Sequence, residues 1–98
     1  MDIGTIQENI HTTSILFKSL SNQKRLLIMC ALYDGEKSVG ELEEYVKLSQ
    51  SALSQHLARL RRDGIVKTRR QAQTIYYSIK DPSVRSVMNF LHELYCDK

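Results

Sequence analysis

The stretch Ser49-Gln50-Ser51-Ala52-Leu53-Ser54-Gln55-His56-Leu57-Ala58-Arg59-Leu60-Arg61-Arg62-Asp63-Gly64 decides how this chain is read. Ser49 is a good helix N-cap and Gly64 a good stop, so the segment predicts a helix running to about Asp63. Leu53, Leu57 and Leu60 recur at i, i+4 and i+7 and form its inner face. The same geometry puts Ser51, Ser54, Gln55, Ala58, Arg59 and Arg62 on the outer face. That face is small and polar first, then basic. A helix entering a DNA major groove needs this order. Small or hydrogen-bonding side chains let the backbone approach base edges, and cations neutralise the phosphates alongside. Gln50, in the first turn, belongs to the same set. His56 falls about 60° from the centre of the inner face. The sequence leaves it open whether His56 reads bases or is half-buried and bonded to backbone.

Immediately downstream, Ile65-Val66-Lys67-Thr68-Arg69-Arg70 and Thr74-Ile75-Tyr76-Tyr77-Ser78-Ile79 flank the polar tip Gln71-Ala72-Gln73. Both flanks are rich in β-branched or aromatic residues. The second alternates, with Ile75, Tyr77 and Ile79 on one side. This predicts a β-hairpin. Arg69, Arg70 and Gln73 near its tip are placed to reach a neighbouring groove or the phosphate backbone. Asp81-Pro82 then predicts an N-cap and first position of a last helix, with Val84, Val87, Met88, Leu91, Leu94 and Tyr95 at helical intervals.

Upstream, Ser38-Val39-Gly40-Glu41 is a capping box that opens a short helix with Leu42 and Val46 inward. Its Glu41, Glu43 and Glu44 are too acidic to face DNA. Asn22 caps a helix from Gln23 to Tyr33, stopped by Asp34-Gly35. Its run from Leu26 to Leu32 is apolar nearly all round, which predicts the central buried helix. Thr5 can cap a first helix reaching about Leu20. The order is four helices, a hairpin and a final helix. The expected fold is therefore mainly α with a small β-hairpin, a single winged helix-turn-helix domain over residues 1–98.

Composition supports the same reading. Ninety-eight residues make one domain, of a size that buries roughly 60–65% of its unfolded surface. The net charge is only +3, but residues 59–70 carry +5 and the remainder −2. A solvated helix can also be basic. What separates the readings is the sequence of acidic helix, polar-then-basic helix and basic hairpin, the footprint of a polyanion partner. There is no Gly-rich phosphate loop and no His-Glu-x-x-His motif, which argues against an enzyme. The longest uncharged apolar run is Leu26–Tyr33, too short for a membrane span, and no signal peptide is recognisable. The expectation is a soluble cytoplasmic protein without membrane contact.

Two cysteines, Cys30 and Cys96, lie 66 positions apart. This is neither a disulfide scaffold nor a zinc motif, and the lack of Cys-x-x-Cys argues against a thiol oxidoreductase. Cys30, within the most apolar helix, reads by default as a core thiol. Cys96 is third from the C-terminus. His11 and His92 have no second ligand at a recognisable spacing, so no metal or other cofactor is expected.

Three segments together resemble the ArsR-type winged-helix repressors. Leu20–Leu26 is similar to the opening of that family's second helix, Leu48–Leu60 to its recognition helix, and Asp63–Val66 through Tyr76–Ile79 to its wing. The resemblance covers residues 15–96. The family's metal-sensing members carry Cys-x-Cys on the third helix, where this chain has Val39-Gly40-Glu41-Leu42-Glu43-Glu44. A second family site starts with Asp-x-His on the last helix, where this chain has Asp81-Pro82-Ser83. Neither metal site is carried over. The match is closest to the branch that contains virulence regulators and sensors of reactive sulfur or oxidants. That resemblance implies a redox switch in which Cys30 and Cys96 join through a disulfide or polysulfide. It also implies a homodimer built from the first and last helices, with Ile6, Ile10, Leu91 and Leu94 at the interface. The partner implied is double-stranded DNA at an imperfect palindromic operator. The output is either repression or activation by competition with a nucleoid-associated repressor.

Overall fold

The computed structural model describes residues Asp2–Tyr95. Five helices and a small sheet follow in the order α1 Ile3–Leu20, α2 Gln23–Tyr33, β1 Lys37–Ser38, α3 Val39–Val46, α4 Gln50–Arg62, β2 Val66–Gln71, β3 Thr74–Ile79 and α5 Pro82–Tyr95. This is the expected winged helix-turn-helix, with one addition. The sheet has a third strand, in the order β1-β3-β2. The two residues of β1 are too few to show a period. They become a strand because Lys37 and Ser38 lie opposite Tyr77 and Tyr76 of β3.

Most ends form where their capping chemistry predicts. The Asn22 side chain accepts from the backbone N–H groups of Lys24 and Arg25. Ser38 and Glu41 close the capping box on α3 reciprocally. Ser49 accepts from the Ala52 N–H at the start of α4. The exception is α1. Asp2, not Thr5, caps it, accepting from the Gly4 N–H and from the Thr5 hydroxyl. An aspartate three residues earlier outcompetes the threonine because it satisfies the first free N–H and recruits Thr5 as a donor.

Between α3 and α4 the turn is Lys47-Leu48-Ser49, with Lys47 in the left-handed region at φ 54°. After α4, Gly64 adopts φ 74°. Its N–H donates to the Arg61 carbonyl, while the Ile65 N–H reaches back to Leu60 at 2.9 Å. This double bond pattern satisfies carbonyls left open by the helix and turns the chain sharply into β2. Ile65 is buried at that corner. The hairpin turn is shorter than the sequence implies: Gln71 still pairs with Thr74, leaving only Ala72 and Gln73 at the tip.

The core joins Ile28, Met29, Ala31 and Leu32 of α2 to Leu42 and Val46 of α3 and to Leu53, Leu57 and Leu60 of α4. Val66, Val84 and Met88 complete it from the hairpin and α5. The inner face of α4 is therefore the predicted one. Two expectations need correction. First, α2 is not buried all round: Leu27 is 43% exposed and Cys30 is also exposed. Burial follows the positions 25, 28, 29 and 32, so Cys30 falls on the other flank and is no core thiol. Second, of the alternating trio on β3, Tyr77 and Ile79 pack on the core but Ile75 is exposed, because the hairpin outruns the body of the domain. No helix among the described residues is long and apolar enough to cross a membrane.

Candidate nucleic-acid interface

Seen from the core outward, α4 is anchored by three leucines and presents its opposite side to solvent. Gln50, Ser51, Ser54, Gln55, Ala58, Arg61 and Arg62 are all exposed. Among the described residues, no side-chain hydrogen bond within the chain engages Gln50, Ser51, Ser54 or Gln55. Their donors and acceptors are available to base edges, and the two serines are short enough for close backbone approach.

At the basic end, Asp63 organises the cations. Its carboxylate lies 3.5 Å from Arg59 Nε and 3.2 Å from Arg62 Nε. The acid is nearly covered while the Arg62 side chain remains 70% exposed. Asp63 thus holds both guanidinium groups over the end of the helix, leaving Arg62 in solvent while Arg59, expected on the outer face, is half-buried with its Nε covered.

The wing is more tightly tied. Arg69 makes a two-pronged contact with Glu36, Nε to Oε2 at 3.0 Å and Nη2 to Oε1 at 2.7 Å. Its guanidinium also lies 4.7 Å from the centre of the Tyr76 ring, the residue opposite it in the ladder. The hydrogen bond from Arg69 holds the Glu36 carboxyl below its ordinary range, and Glu36 in turn pushes Arg69 up. Arg70 donates from Nε to the Ala72 carbonyl. Gln73 is exposed at the tip.

His56 stands apart from the other sequence-identified residues. It is half-buried, and its Nδ1 lies 3.4 Å from Nη1 of Arg25. Burial first, and then the neighbouring Arg25 charge, lower its pKa. Arg25 is the residue that sequence reasoning missed. It is only 8% exposed. Its Nε donates to the Ser19 carbonyl and its Nη2 to the Lys18 carbonyl at 3.5 Å, both at the end of α1. No local signal marked it: with residues 26–32 all apolar, the stripe that Arg25 shares with Ile28, Met29 and Leu32 shows only once those residues are seen to be buried.

Cys30 opens onto a groove of about 620 Å³ between α2 and α5, lined also by Leu26, Tyr33, Tyr45, Met88, Leu91, His92 and Tyr95. Cys96 lies outside the described residues. Tyr95, the residue before it, lines the same groove as Cys30. A second apolar groove, lined by Phe17, Leu20, Leu26, Val87, Phe90 and Leu91, runs between α1 and α5. Of the residues expected at a dimer interface, Ile10 and Leu94 are exposed while Ile6 and Leu91 are half-buried. Among the described residues, no three of His, Cys, Asp and Glu come together as a metal-ligand group.

Comparison with known proteins gives a consistent picture. The family model described as "Bacterial regulatory protein, arsR family" matches residues 22–68, from the cap of α2 into β2. The transcriptional activator HlyU of Vibrio cholerae is 48% identical over 96 residues, covering 98% of this chain and 89% of the relative. The HTH-type transcriptional regulator YgaV of Escherichia coli is 41% identical, covering 97% of each. Among solved structures, reduced HlyU from Vibrio cholerae superposes with a TM-score of 0.89 at 48% identity, covering 96% of this chain and 99% of that one. The transcriptional repressor BigR from Xylella fastidiosa gives 0.88 at 36% identity, with both chains fully covered.

Proposed function

Because the chain belongs to the ArsR family of bacterial regulatory proteins and is a transcriptional regulator of that type, we propose that it acts as a homodimer on an imperfect palindromic operator, under control of a thiol switch at Cys30 and Cys96. The observation that carries the DNA reading is the exposed face of α4, with Ser51, Ser54 and Gln55 ahead of Arg62 and the half-buried Arg59, flanked by Arg69 and Arg70 of the wing. In this reading α4 enters the major groove with Gln50, Ser51, Ser54 and Gln55 at base edges, and His56 beside them. Arg59, Arg62, Arg69 and Arg70 contact phosphates, and Gln73 reaches the neighbouring groove.

The dimer reading rests on an uncovered stripe. Ile3, Ile10 and Phe17 recur every seven residues on α1 and are exposed, as are Phe90 and Leu94 of α5. A monomer gains nothing by leaving such a surface wet, and a second copy covers it symmetrically. Two-fold symmetry would then set the reading helices roughly 34–36 Å apart, one turn of DNA.

The switch reading rests on Cys30 being exposed on a groove that Tyr95 shares, one residue short of Cys96. Two thiols joining as a disulfide release two electrons and two protons, which a peroxide accepts in becoming water. Two equivalents of a persulfide donor RSSH would instead give a trisulfide bridge with release of two RSH and one hydrogen sulfide, the second sulfane sulfur serving as the two-electron oxidant. Either bond would tie α2 to the end of α5 and shift the dimer helices relative to α4. Reduced protein is expected to bind the operator and oxidised protein to release it. Mobility-shift assays on reduced and oxidised wild type and on Cys30→Ser and Cys96→Ser test this. Equal binding by all forms removes the switch but leaves the DNA reading. Loss of salt-dependent retention on duplex DNA removes the DNA reading itself.

A second reading concerns output. The Vibrio cholerae relative is a transcriptional activator and the Xylella fastidiosa one a repressor. Activation would follow if this protein displaced a nucleoid-associated repressor from an upstream site. An operator overlapping the core promoter supports repression, and an upstream operator supports displacement.

A further inference from the structure

Arg25 is an unusual object: a nearly buried guanidinium for which no carboxylate lies at ion-pair distance among the described residues. Instead it spans two parts of the domain. Its Nε and Nη2 donate to the Ser19 and Lys18 carbonyls that end α1, where the helix dipole is negative. Its Nη1 faces Nδ1 of His56 on α4. Guanidinium has five donors, no acceptor, and keeps its proton at every accessible pH. A hydrogen bond between these two groups can therefore run only one way: Arg25 donates and His56 Nδ1 accepts. The ring is then neutral and its hydrogen sits on Nε2, across the ring from Arg25.

We propose that Arg25 is a positioning residue for DNA reading, which fixes His56 as the neutral Nε2–H tautomer and so presents a constant hydrogen-bond donor from the reading helix. The proposal rests on the DNA reading of α4. It fits a half-buried His56 whose Nδ1 faces Arg25 while its Nε2 makes no hydrogen bond among the described residues. A fixed Nε2–H matches acceptors such as guanine N7 and O6, thymine O4 or a phosphate oxygen. It also makes α4 insensitive to modest acidification, because burial and the Arg25 charge both oppose protonation of the ring. Among the described residues the charged group acting on His56 is Arg25 from α2, and Arg59 of α4 and Asp63 at its C-cap act in turn on Arg25. The end of α1 contributes carbonyls. Arg25 thus also ties the α1 terminus to the register of α4.

The test has two arms. In the first, long-range proton–nitrogen correlation spectra of the nitrogen-15-labelled wild-type protein without DNA report the tautomer of each histidine. Histidine substitution assigns the signals. The expected result is a single Nε2–H form for His56, titrating below the ordinary value of about 6.5. An Nδ1–H form, or a charged ring at neutral pH, overturns the proposal without bearing on DNA binding. In the second arm, operator affinity is measured at about pH 7.5 and about pH 5.5, the window in which an ordinary histidine charges. Wild type should change little. Arg25→Met should bind more weakly at the higher pH and gain about threefold or more on acidification, as His56 becomes a cation beside the phosphates. His56→Phe should lose affinity at both pH values and abolish the gain when combined with Arg25→Met. If His56→Phe binds as wild type while Arg59→Ala and Gln55→Ala weaken binding, the presentation role is overturned and the DNA reading stands. If Arg25→Met does not fold, the wild-type spectra and His56→Phe still decide.

Discussion

The reading helix and the wing carry similar side chains but hold them in opposite ways. On α4 the backbone is fixed by Leu53, Leu57 and Leu60 in the core, while the side chains of Ser51, Ser54 and Gln55 make no hydrogen bond among the described residues. In the wing the backbone runs out past the core, as the exposure of Ile75 shows, while Arg69 is clamped by Glu36 and Tyr76 and Arg70 by its own turn. The difference suits the proposed division of labour between the two. Reading bases needs a helix set to within a fraction of an ångström and side chains free to find their partners. Meeting phosphates from a two-stranded ribbon needs ordered side chains, because a mobile arginine on a mobile backbone loses about 0.5–1.5 kcal/mol on immobilisation.

The largest test of this contrast is stability. Leu57→Ala should cost about 2–5 kcal/mol, since it opens a cavity under α4. Ile75→Ala in the wing should cost under about 1 kcal/mol, because a half-exposed side chain gives up little buried surface. Urea unfolding of both variants measures the difference. Comparable losses would mean that the wing, too, is braced by packing.

Next comes a carboxylate placed on each surface. Ser54→Glu should lower operator affinity about a hundredfold, through repulsion by phosphates and loss of close approach. Its fold should be unaffected, since the position is exposed. Gln73→Glu at the wing tip should cost only a few-fold, because the ribbon can bend away. Equal losses in a filter-binding assay would break the distinction between a rigid reader and a yielding wing.

Smaller again are single charges. Arg70→Ala should weaken binding to all sequences alike and reduce the slope of affinity against salt by about one unit. Gln55→Ala should instead relax preference at particular base pairs while leaving that slope unchanged. Glu36→Gln, which keeps an acceptor to order Arg69, should strengthen binding about threefold, because the carboxylate charge no longer offsets Arg69 against the phosphates. A weaker complex would mean that the clamp aims Arg69 at a phosphate more than it competes with one.

These assignments differ in how far the chain alone discloses them. The face of α4 follows from 100° per residue and three leucines, so most of its exposed set is legible in the sequence; Arg59, expected outside, is half-buried beside Asp63, and Arg61 is exposed as well. The ends of α2, α3 and α4 were equally legible, because Asn22, Ser38 and Ser49 satisfy helix N–H groups in one way only. Contacts across long separations were not. Glu36 meets Arg69 from 33 positions away, and nothing local marks either as the other's partner. The two-residue β1 has no pattern of its own and exists only beside β3. Cys30 illustrates a subtler failure. In a helix apolar nearly all round, composition hides the phase, and the lone Arg25 points to the wrong flank, since an arginine is ordinarily outside. Recognising an inward arginine would have located both the buried strut and the exposed cysteine.

The finest test uses the pH response of the wing clamp. Hydrogen bonding by Arg69 depresses the Glu36 carboxyl below its ordinary range. A group depressed in the folded state adds stability above its unfolded pKa of about 4.3 and loses that contribution as pH falls through its folded value. The pair is solvent-exposed, so the effect is slight and screened by salt. Wild type should therefore melt slightly above Glu36→Gln at neutral pH and low salt, and the two should converge under acid conditions or in high salt. A melting difference that persists in acid would show that Glu36 acts through packing or neutral hydrogen bonds. The wing would then resemble α4, ordered by its framework and not by charge, and the contrast between the two regions would lose its electrostatic basis.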